Sequence, residues 1–330
     1  PAPVGDADEP LQFQVAAPPH VIAGFTVPRV MFQVLLALVP LAVVHVWLFG
    51  PALLLQLGVA AVTALGCEAL ALHLRGRPVP QFLRDGSVLV TAALLAVSVP
   101  PLLPWWLTAF GTAVAVLLGK HAYGGLGQNP FNPAMVGYAV LLVSFPVEMT
   151  RWPVPGPEWD AVTGATALDA LHTGLAQSYT MQELMADPAF GRVGAAGGEW
   201  LNLAALLGGA YLLLRRVIRW QIPLAMLTGL ALPAAAMHAV DPGAYAGALF
   251  HLASGATMLG AFFIATDPVS AATSDRGRLY FGAGIGVLTW IIRSWGGYPD
   301  GVAFAVLLMN LSVPLLDRYT VPRIHGHRGR

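Results

Sequence analysis

Val30–Phe49, VMFQVLLALVPLAVVHVWLF, carries no Asp, Glu, Lys or Arg, and Ala52–Leu74, ALLLQLGVAAVTALGCEALALHL, carries only Glu68. Gly50-Pro51 is all that separates them. A straight bilayer crossing takes about 20 mostly apolar residues, and each stretch is long enough for one. A helix lying on a soluble core would show a polar face, and these have none. The rest of the chain repeats the pattern. Of 330 residues, 56% are hydrophobic and 10% charged, against about 25% charged in soluble domains, which excludes an ordinary soluble globular protein. The 36 glycines and 27 prolines interrupt apolar runs rather than polar ones, as in helices that pack inside a bilayer.

The expected fold is therefore an all-α polytopic membrane protein. Ten apolar segments are expected as transmembrane helices, near 30–49, 52–74, 86–103, 105–119, 132–146, 200–218, 222–240, 245–266, 279–293 and 301–316. The third, fifth and eighth are short and bounded by Gly or Pro, the pattern of broken or bent helices. The Pro-rich, acidic start (Asp6, Asp8, Glu9) has no signal-peptide pattern, so the first span is expected to direct insertion. Zero formal net charge, with basic residues at segment ends, gives no reason to expect nucleic-acid binding. The single Cys67 excludes an internal disulfide and a protein-only iron–sulfur or thiolate zinc site. No metal site is expected, and any redox chemistry needs a non-metal cofactor.

Orientation follows from the basic residues. With the N-terminus inside, 14 of the 17 Lys and Arg fall on the inner side, and Arg151, Arg192 and Arg293 remain outside. Both termini are then cytoplasmic and the long loop 147–199, which holds seven of the 17 acidic residues, is periplasmic. The expected organisation is a cytoplasmic segment 1–29, a membrane unit 30–146, the loop 147–199, a second membrane unit 200–316 and a cytoplasmic tail 317–330. The two membrane units carry echoes of each other. Asp85-Gly86-Ser87 opens a run ending at Pro100, as Ser254-Gly255-Ala256 opens one ending at Pro268. Tyr138-Ala-Val-Leu-Leu142 recurs as Phe304-Ala-Val-Leu-Leu308, at spacings of 52 and 49 residues from Gly86 and Gly255. Five spans per unit make such a repeat inverted, an architecture that places sites near the midplane between the halves.

The loop also contains Asp160-Ala-Val-Thr163-Gly164-Ala165-Thr166. One reading is a helix start, with Thr166 as N-cap and Asp169 three residues on. The other is an acceptor for covalent flavin, in which small Gly164 and Ala165 give a modifying enzyme access and the helix N-terminus stabilises the phosphate. The two readings are compatible. Ser254-Gly255-Ala256-Thr257 matches the short form of the motif, but His251 stands where an acid should and the stretch lies in an apolar span. It is read as small-residue helix packing.

Asp160-x-x-Thr163-Gly-Ala-Thr166, Asp85-Gly-Ser, Asn129-Pro-Phe-Asn132-Pro-Ala, Thr266-Asp-Pro and Gly296-Gly-Tyr-Pro-Asp-Gly301 together resemble one family. Its members are the D subunits of Rnf ion-translocating ferredoxin:NAD oxidoreductases and the B subunits of sodium-pumping NADH:quinone oxidoreductases. The likeness runs from about Val21 to Pro322. It implies FMN on Thr166 through a phosphoester, installed by a periplasmic flavin transferase. It also implies a noncovalent riboflavin beside Asn129 and Asn132. The expected partners are the other Rnf subunits (A, B, C, E and G), Na+ or H+ and membrane lipid, in a bacterial inner membrane. No catalytic residue is expected in this chain alone, which would act as a subunit of a translocase. It has no nucleotide-binding Gly fingerprint, so NAD would bind elsewhere in the complex.

Acids in or beside spans are costly to bury and become candidates for an ion route: Glu68, Asp85, Asp267 and Asp300. Asp85 and Asp300 also read as helix caps. The histidines, His45, His73, His121, His172, His238 and His251, show no metal spacing and read as packed or interfacial. Tryptophans near span ends read as an aromatic belt. A competing reading from a different class is a solute channel or transporter on the same inverted plan, which has no use for the motif from Asp160 to Thr166.

Overall fold

The computed structural model describes residues 26–156, 163–164, 166–187, 189–298 and 300–320. The first apolar unit holds α1 (Val27–Phe49), α2 (Ala52–Leu74), short α3 (Val79–Leu83), α4 (Ser87–Ser98), α5 (Trp105–Val114) and α6 (Pro133–Ser144). Helix α5 runs on as a π-helical turn, Ala115–Lys120. The connecting loop contributes α7 (Pro146–Thr150), strands β1 (Trp152–Pro153) and β2 (Thr163–Gly164), α8 (Ala167–Ala176) and α9 (Met181–Leu184). The second unit holds α10 (Gly198–Leu214), α11 (Gln221–Val240), α12 (Ala248–Ala253), α13 (Thr257–Leu259), α14 (Asp275–Trp295) and α15 (Val302–Thr320), with a π-helical turn Gly260–Ile264 after α13.

Each expected apolar segment is helical, and the protein is an all-α integral membrane protein. Four helices, α1, α2, α11 and α15, are long and apolar enough to cross a membrane by length and composition. The expected short segments are short: α4 and α6 have 12 residues each. The eighth segment is not one helix. It breaks at Ser254–Ala256, where Gly255 adopts φ +60, and the chain restarts as α13. The Ser254–Thr257 stretch is therefore a helix break and not small-residue packing within a continuous helix, which corrects the sequence reading.

Helix α1 packs on α10 and α6 on α15, so the first and last helices of the two units pair with their counterparts. Between them lies the main apolar cluster, which includes Leu41, Leu95, Met135, Leu141, Phe262, Ile264 and Val306. Away from it, α2, α10 and α11 turn Val62, Leu214 and Leu232 outward, as a lipid-facing surface requires. Trp47, Trp105, Trp106, Trp200, Trp220 and Trp295, all near helix ends, are exposed as an aromatic belt would be.

Glycine lets α11 and α14 approach closely. A Cβ on Gly286 would meet the backbone of Met226, Gly229 and Leu230, and one on Gly282 the backbone of Ile222. This is the small-residue spacing that lets helix backbones touch in lipid. Gly286→Ala is expected to force the helices apart and destabilise the chain by about 1–3 kcal/mol. The check is thermal unfolding in detergent, and an unchanged midpoint would refute the close-packing account.

The connecting loop has its own apolar core. Leu168, Leu171, Met181 and Phe190 pack with Phe250 of α12, and Phe190 stacks on Phe250 with ring centroids 5.7 Å apart. The loop is thereby seated against the second unit.

Candidate functional site

Thr166 is the N-cap of α8. Its backbone is extended (φ -66, ψ 157), and its hydroxyl oxygen accepts a hydrogen bond from the Asp169 N–H at 3.2 Å. Upstream, β2 pairs antiparallel with β1, with Trp152 opposite Gly164 and Pro153 opposite Thr163. The backbone of Thr163 and Gly164 is thus tied to the loop wall. Asp160 and Ala165 lie outside the described residues.

Thr166 stands at a cavity of about 420 Å³ between the two units, a volume in the range of small-molecule sites, about 300–1,000 Å³. The first unit contributes His45, Phe49 and Met135 to its wall, the second Asn202, Leu259 and Asp300. His45, Phe49 and Trp152 make an aromatic corner, with centroids 5.1 Å (His45–Phe49), 6.4 Å (His45–Trp152) and 6.0 Å (Phe49–Trp152) apart. His45 is only 1% exposed, and neither of its ring nitrogens has a hydrogen-bond partner. Such a buried polar group costs about 1–3 kcal/mol when left unsatisfied. The sequence places His45 among packed histidines; the structure places it in the cavity wall.

The break between α12 and α13 closes one end of the cavity, and a buried cation holds it. Arg293 Nη1 donates to the His251 carbonyl at 2.8 Å. Its Nη2 donates to the Ser254 carbonyl, Thr257 Oγ1 and Asp300 Oδ1 at 3.2, 3.0 and 3.0 Å. Asp300 in turn accepts from the Ala256 N–H at 2.8 Å and the Val302 N–H at 3.2 Å. Backbone groups freed inside a membrane must find such partners. Thr257 is fully buried, and its hydroxyl donates to the carbonyls of His251 and Ser254. It is a structural residue of the break.

A family model of the NQR2, RnfD, RnfE family matches residues 14–326. A protein of Pseudomonas paraeruginosa, named as the D subunit of an ion-translocating oxidoreductase complex, is 56% identical, over 94% of this chain and 95% of its own length. Proteins of the same name from Ectopseudomonas mendocina and Escherichia fergusonii are 52% and 48% identical. They cover 94% and 96% of this chain, and 95% and 99% of their own lengths. The chain belongs to the NQR2, RnfD, RnfE family.

The asparagine pair and the candidate ion-route acids singled out from the sequence of this NQR2, RnfD, RnfE member are engaged. Asn132 caps α6 by accepting from Met135 N–H at 3.2 Å, and its Nδ2 donates to the Ile264 carbonyl of the other unit at 3.2 Å. Its own N–H donates to Asn310 Oδ1 at 3.1 Å, and Asn310 Nδ2 donates to the Ser270 carbonyl at 2.9 Å. Asn129 donates to the Phe131 carbonyl at 2.9 Å. Asp85 accepts from the Ser87 N–H and hydroxyl at 2.7 and 2.6 Å, the capping role its position suggested. Asp267 accepts from the Ser270 hydroxyl at 2.7 Å.

Glu68 of α2 lies beside Lys120, at the end of the π-helical turn after α5. Lys120 Nζ uses its three protons on Glu68 Oε1, Glu68 Oε2 and Ser87 Oγ at 2.9, 3.0 and 3.0 Å. His121 Nε2 lies 2.9 Å from Glu68 Oε2, and Arg75 donates to the His121 carbonyl. Glu68 and Lys120 are each 2% exposed. Removing one partner of a buried pair costs about 3–5 kcal/mol, while replacing both with apolar groups can be neutral. Glu68→Leu is therefore expected to lower the unfolding midpoint sharply and Glu68→Leu with Lys120→Leu to recover much of it; equal losses would refute the pairing account.

Sequence reasoning missed Lys120, Arg293 and Asn310. It counts the two cations as loop charges, and their burial corrects that count, although thirteen against two keeps the same direction. Asn310, a lone amide within an apolar run, is the signal that could have been used.

Proposed function

We propose that the chain is a membrane subunit of an Rnf-type ion-translocating electron-transport complex, carrying FMN on Thr166 and relaying electrons between ferredoxin and NAD modules. The observation that carries this is Thr166 itself: a hydroxyl at the N-terminus of α8 and at the rim of a cavity large enough for a flavin. The α8 N-terminus favours the phosphate, and the aromatic corner with an unpartnered imidazole suits a ring with polar edges. Bound flavin supplies the electron-transfer chemistry, and this chain's residues hold and tune it. The names of the relatives support the complex, and the family supports its membrane setting.

In this reading 30–146 and 200–316 are inverted membrane units, both termini are cytoplasmic in a bacterial inner membrane, and 147–199 is the periplasmic segment met by a flavin transferase. The remaining Rnf subunits are the protein partners, and Na+ or H+ is the ion moved. A noncovalent riboflavin beside Asn129 and Asn132 is the second cofactor. Asn132 is committed to the α6 cap and to Ile264, which leaves the Asn129 carboxamide oxygen as the group offered to a ring edge. Each candidate ion-route acid is engaged in a hydrogen bond or ion pair, so a route through Glu68 or Asp300 requires opening the contact with Lys120 or Arg293.

The test is in-gel flavin fluorescence after denaturing electrophoresis, with an active flavin transferase co-expressed. A fluorescent band that depends on Thr166 supports the reading. No band would overturn it and favour a transporter on the same plan.

A further inference from the structure

We infer that His45 hydrogen-bonds the isoalloxazine ring of the flavin carried on Thr166 and raises its reduction potential. The inference rests on the reading of Thr166 above and adds where the ring sits and what tunes it. His45 and Thr166 line the same cavity. Among the described residues in that lining, His45 is the one with buried side-chain atoms lacking any hydrogen-bond partner, and it lacks them at both ring nitrogens. Tyr138 also lines the cavity, and several other polar groups of the wall are committed. The Ser98 hydroxyl donates to the Leu94 carbonyl. Asn202 donates to the Gly198 and Gly255 carbonyls and accepts from the Met258 N–H. Asp300 is held by Arg293, Ala256 and Val302.

The chemistry of the two partners matches. A neutral imidazole offers one N–H donor and one acceptor, and the edge of a flavin ring offers carbonyl oxygens and ring nitrogens of both kinds. Phe49, edge-on to His45, and Trp152, tilted against it, supply apolar ring faces for packing. Trp152 is also the residue that pairs with Gly164 in the motif, so the strand that fixes the attachment loop brings the aromatic corner beside it. An N–H aimed at an atom that gains electron density on reduction binds the reduced ring more tightly than the oxidised one. That raises the potential.

The experiment uses the full chain co-expressed with flavin transferase, as wild type, His45→Phe and His45→Gln. His45→Phe keeps a flat ring against Phe49 and Trp152 and removes both nitrogens; His45→Gln restores a donor and an acceptor. Covalent fluorescence in the gel and a monodisperse elution profile report loading and folding. The readouts are the flavin midpoint potential and the flavin carbonyl stretching bands in Raman spectra. The expected result is a potential lower by about 30 mV in His45→Phe, equivalent to a tenfold loss of preference for the reduced ring in a two-electron couple. His45→Gln should recover at least half of that shift, and the flavin bands of wild type should differ from those of His45→Phe, with a bonded carbonyl stretch lying lower in wild type. Loaded variants with unchanged potential would overturn the role of His45 and leave Thr166 as the bearer. An unlabelled wild-type chain would overturn the reading of Thr166, and this inference with it.

Discussion

Thr166→Ala is expected to abolish the covalent fluorescence of the denatured polypeptide, while Thr163→Ala and Thr257→Ala leave it in place. The loss should be complete, because a phosphoester needs the hydroxyl. The Ala variant also removes the α8 cap, worth about 0.5–2 kcal/mol, so a misfolded loop could mimic the effect. Thr166→Asn separates the two causes: its side-chain oxygen can still accept from the Asp169 N–H, as Thr166 does now, but it has no hydroxyl to esterify. Fluorescence absent from both Thr166 variants, with the loop core of Leu168, Leu171 and Phe190 still protected from proteolysis, identifies chemistry rather than folding as the cause. A fluorescent Thr166→Asn band would place the flavin elsewhere. Thr257 is the sharper control. It matches the short motif in sequence, but its oxygen is fully buried and bonded to His251, Ser254 and Arg293, so no soluble enzyme reaches it.

Arg293→Leu is expected to destabilise the chain by about 3–5 kcal/mol, because it strips one partner from a buried ion pair. It also leaves the carbonyls of His251 and Ser254 without the guanidinium that now meets them at 2.8 and 3.2 Å. Asp300→Asn, which removes the charge and keeps an oxygen for one of the Ala256 and Val302 N–H groups, now bound to different carboxylate oxygens, should recover part of the loss when combined with Arg293→Leu. Thermal unfolding in detergent of the four chains reads this directly. An Arg293→Leu midpoint equal to wild type would mean the break at Ser254–Ala256 is held by other contacts. Since Gly255, Ala256 and Asp300 line the cavity proposed for the flavin, any flavinylated Arg293→Leu chain that folds should hold its flavin less rigidly, seen as higher fluorescence anisotropy decay rates.

The membrane class was fully legible in the sequence. Uninterrupted apolar runs such as Val30–Phe49 are a local property, and a bilayer constrains each helix separately, so neither packing nor long-range pairing is needed to read them. The same holds for Thr166 as an N-cap and for Asp85 as the cap of Ser87, since capping uses a side chain and a backbone N–H only two or three residues away. The family was legible because its motifs are spread over nearly the whole chain.

Tertiary structure alone decided what the charged and polar residues inside those runs do. Glu68 and Lys120 are 52 residues apart, Asn132 reaches Ile264 across 132, and Arg293 reaches back to Ser254 across 39. Nothing in the local pattern distinguishes Lys120 or Arg293 from a loop cation at a helix end, because burial comes from neighbours that only folding brings together. The break at Gly255 was hidden for a related reason: Ser-Gly-Ala-Thr suits both close helix packing and a left-handed turn, and the choice between them falls to Arg293 and Asp300, which satisfy the freed backbone. His45 is the clearest case. In sequence it is one polar residue in an apolar helix, and only the meeting of α1, the loop strand at Trp152 and the α8 N-terminus around one cavity turns it into a group in want of a ligand.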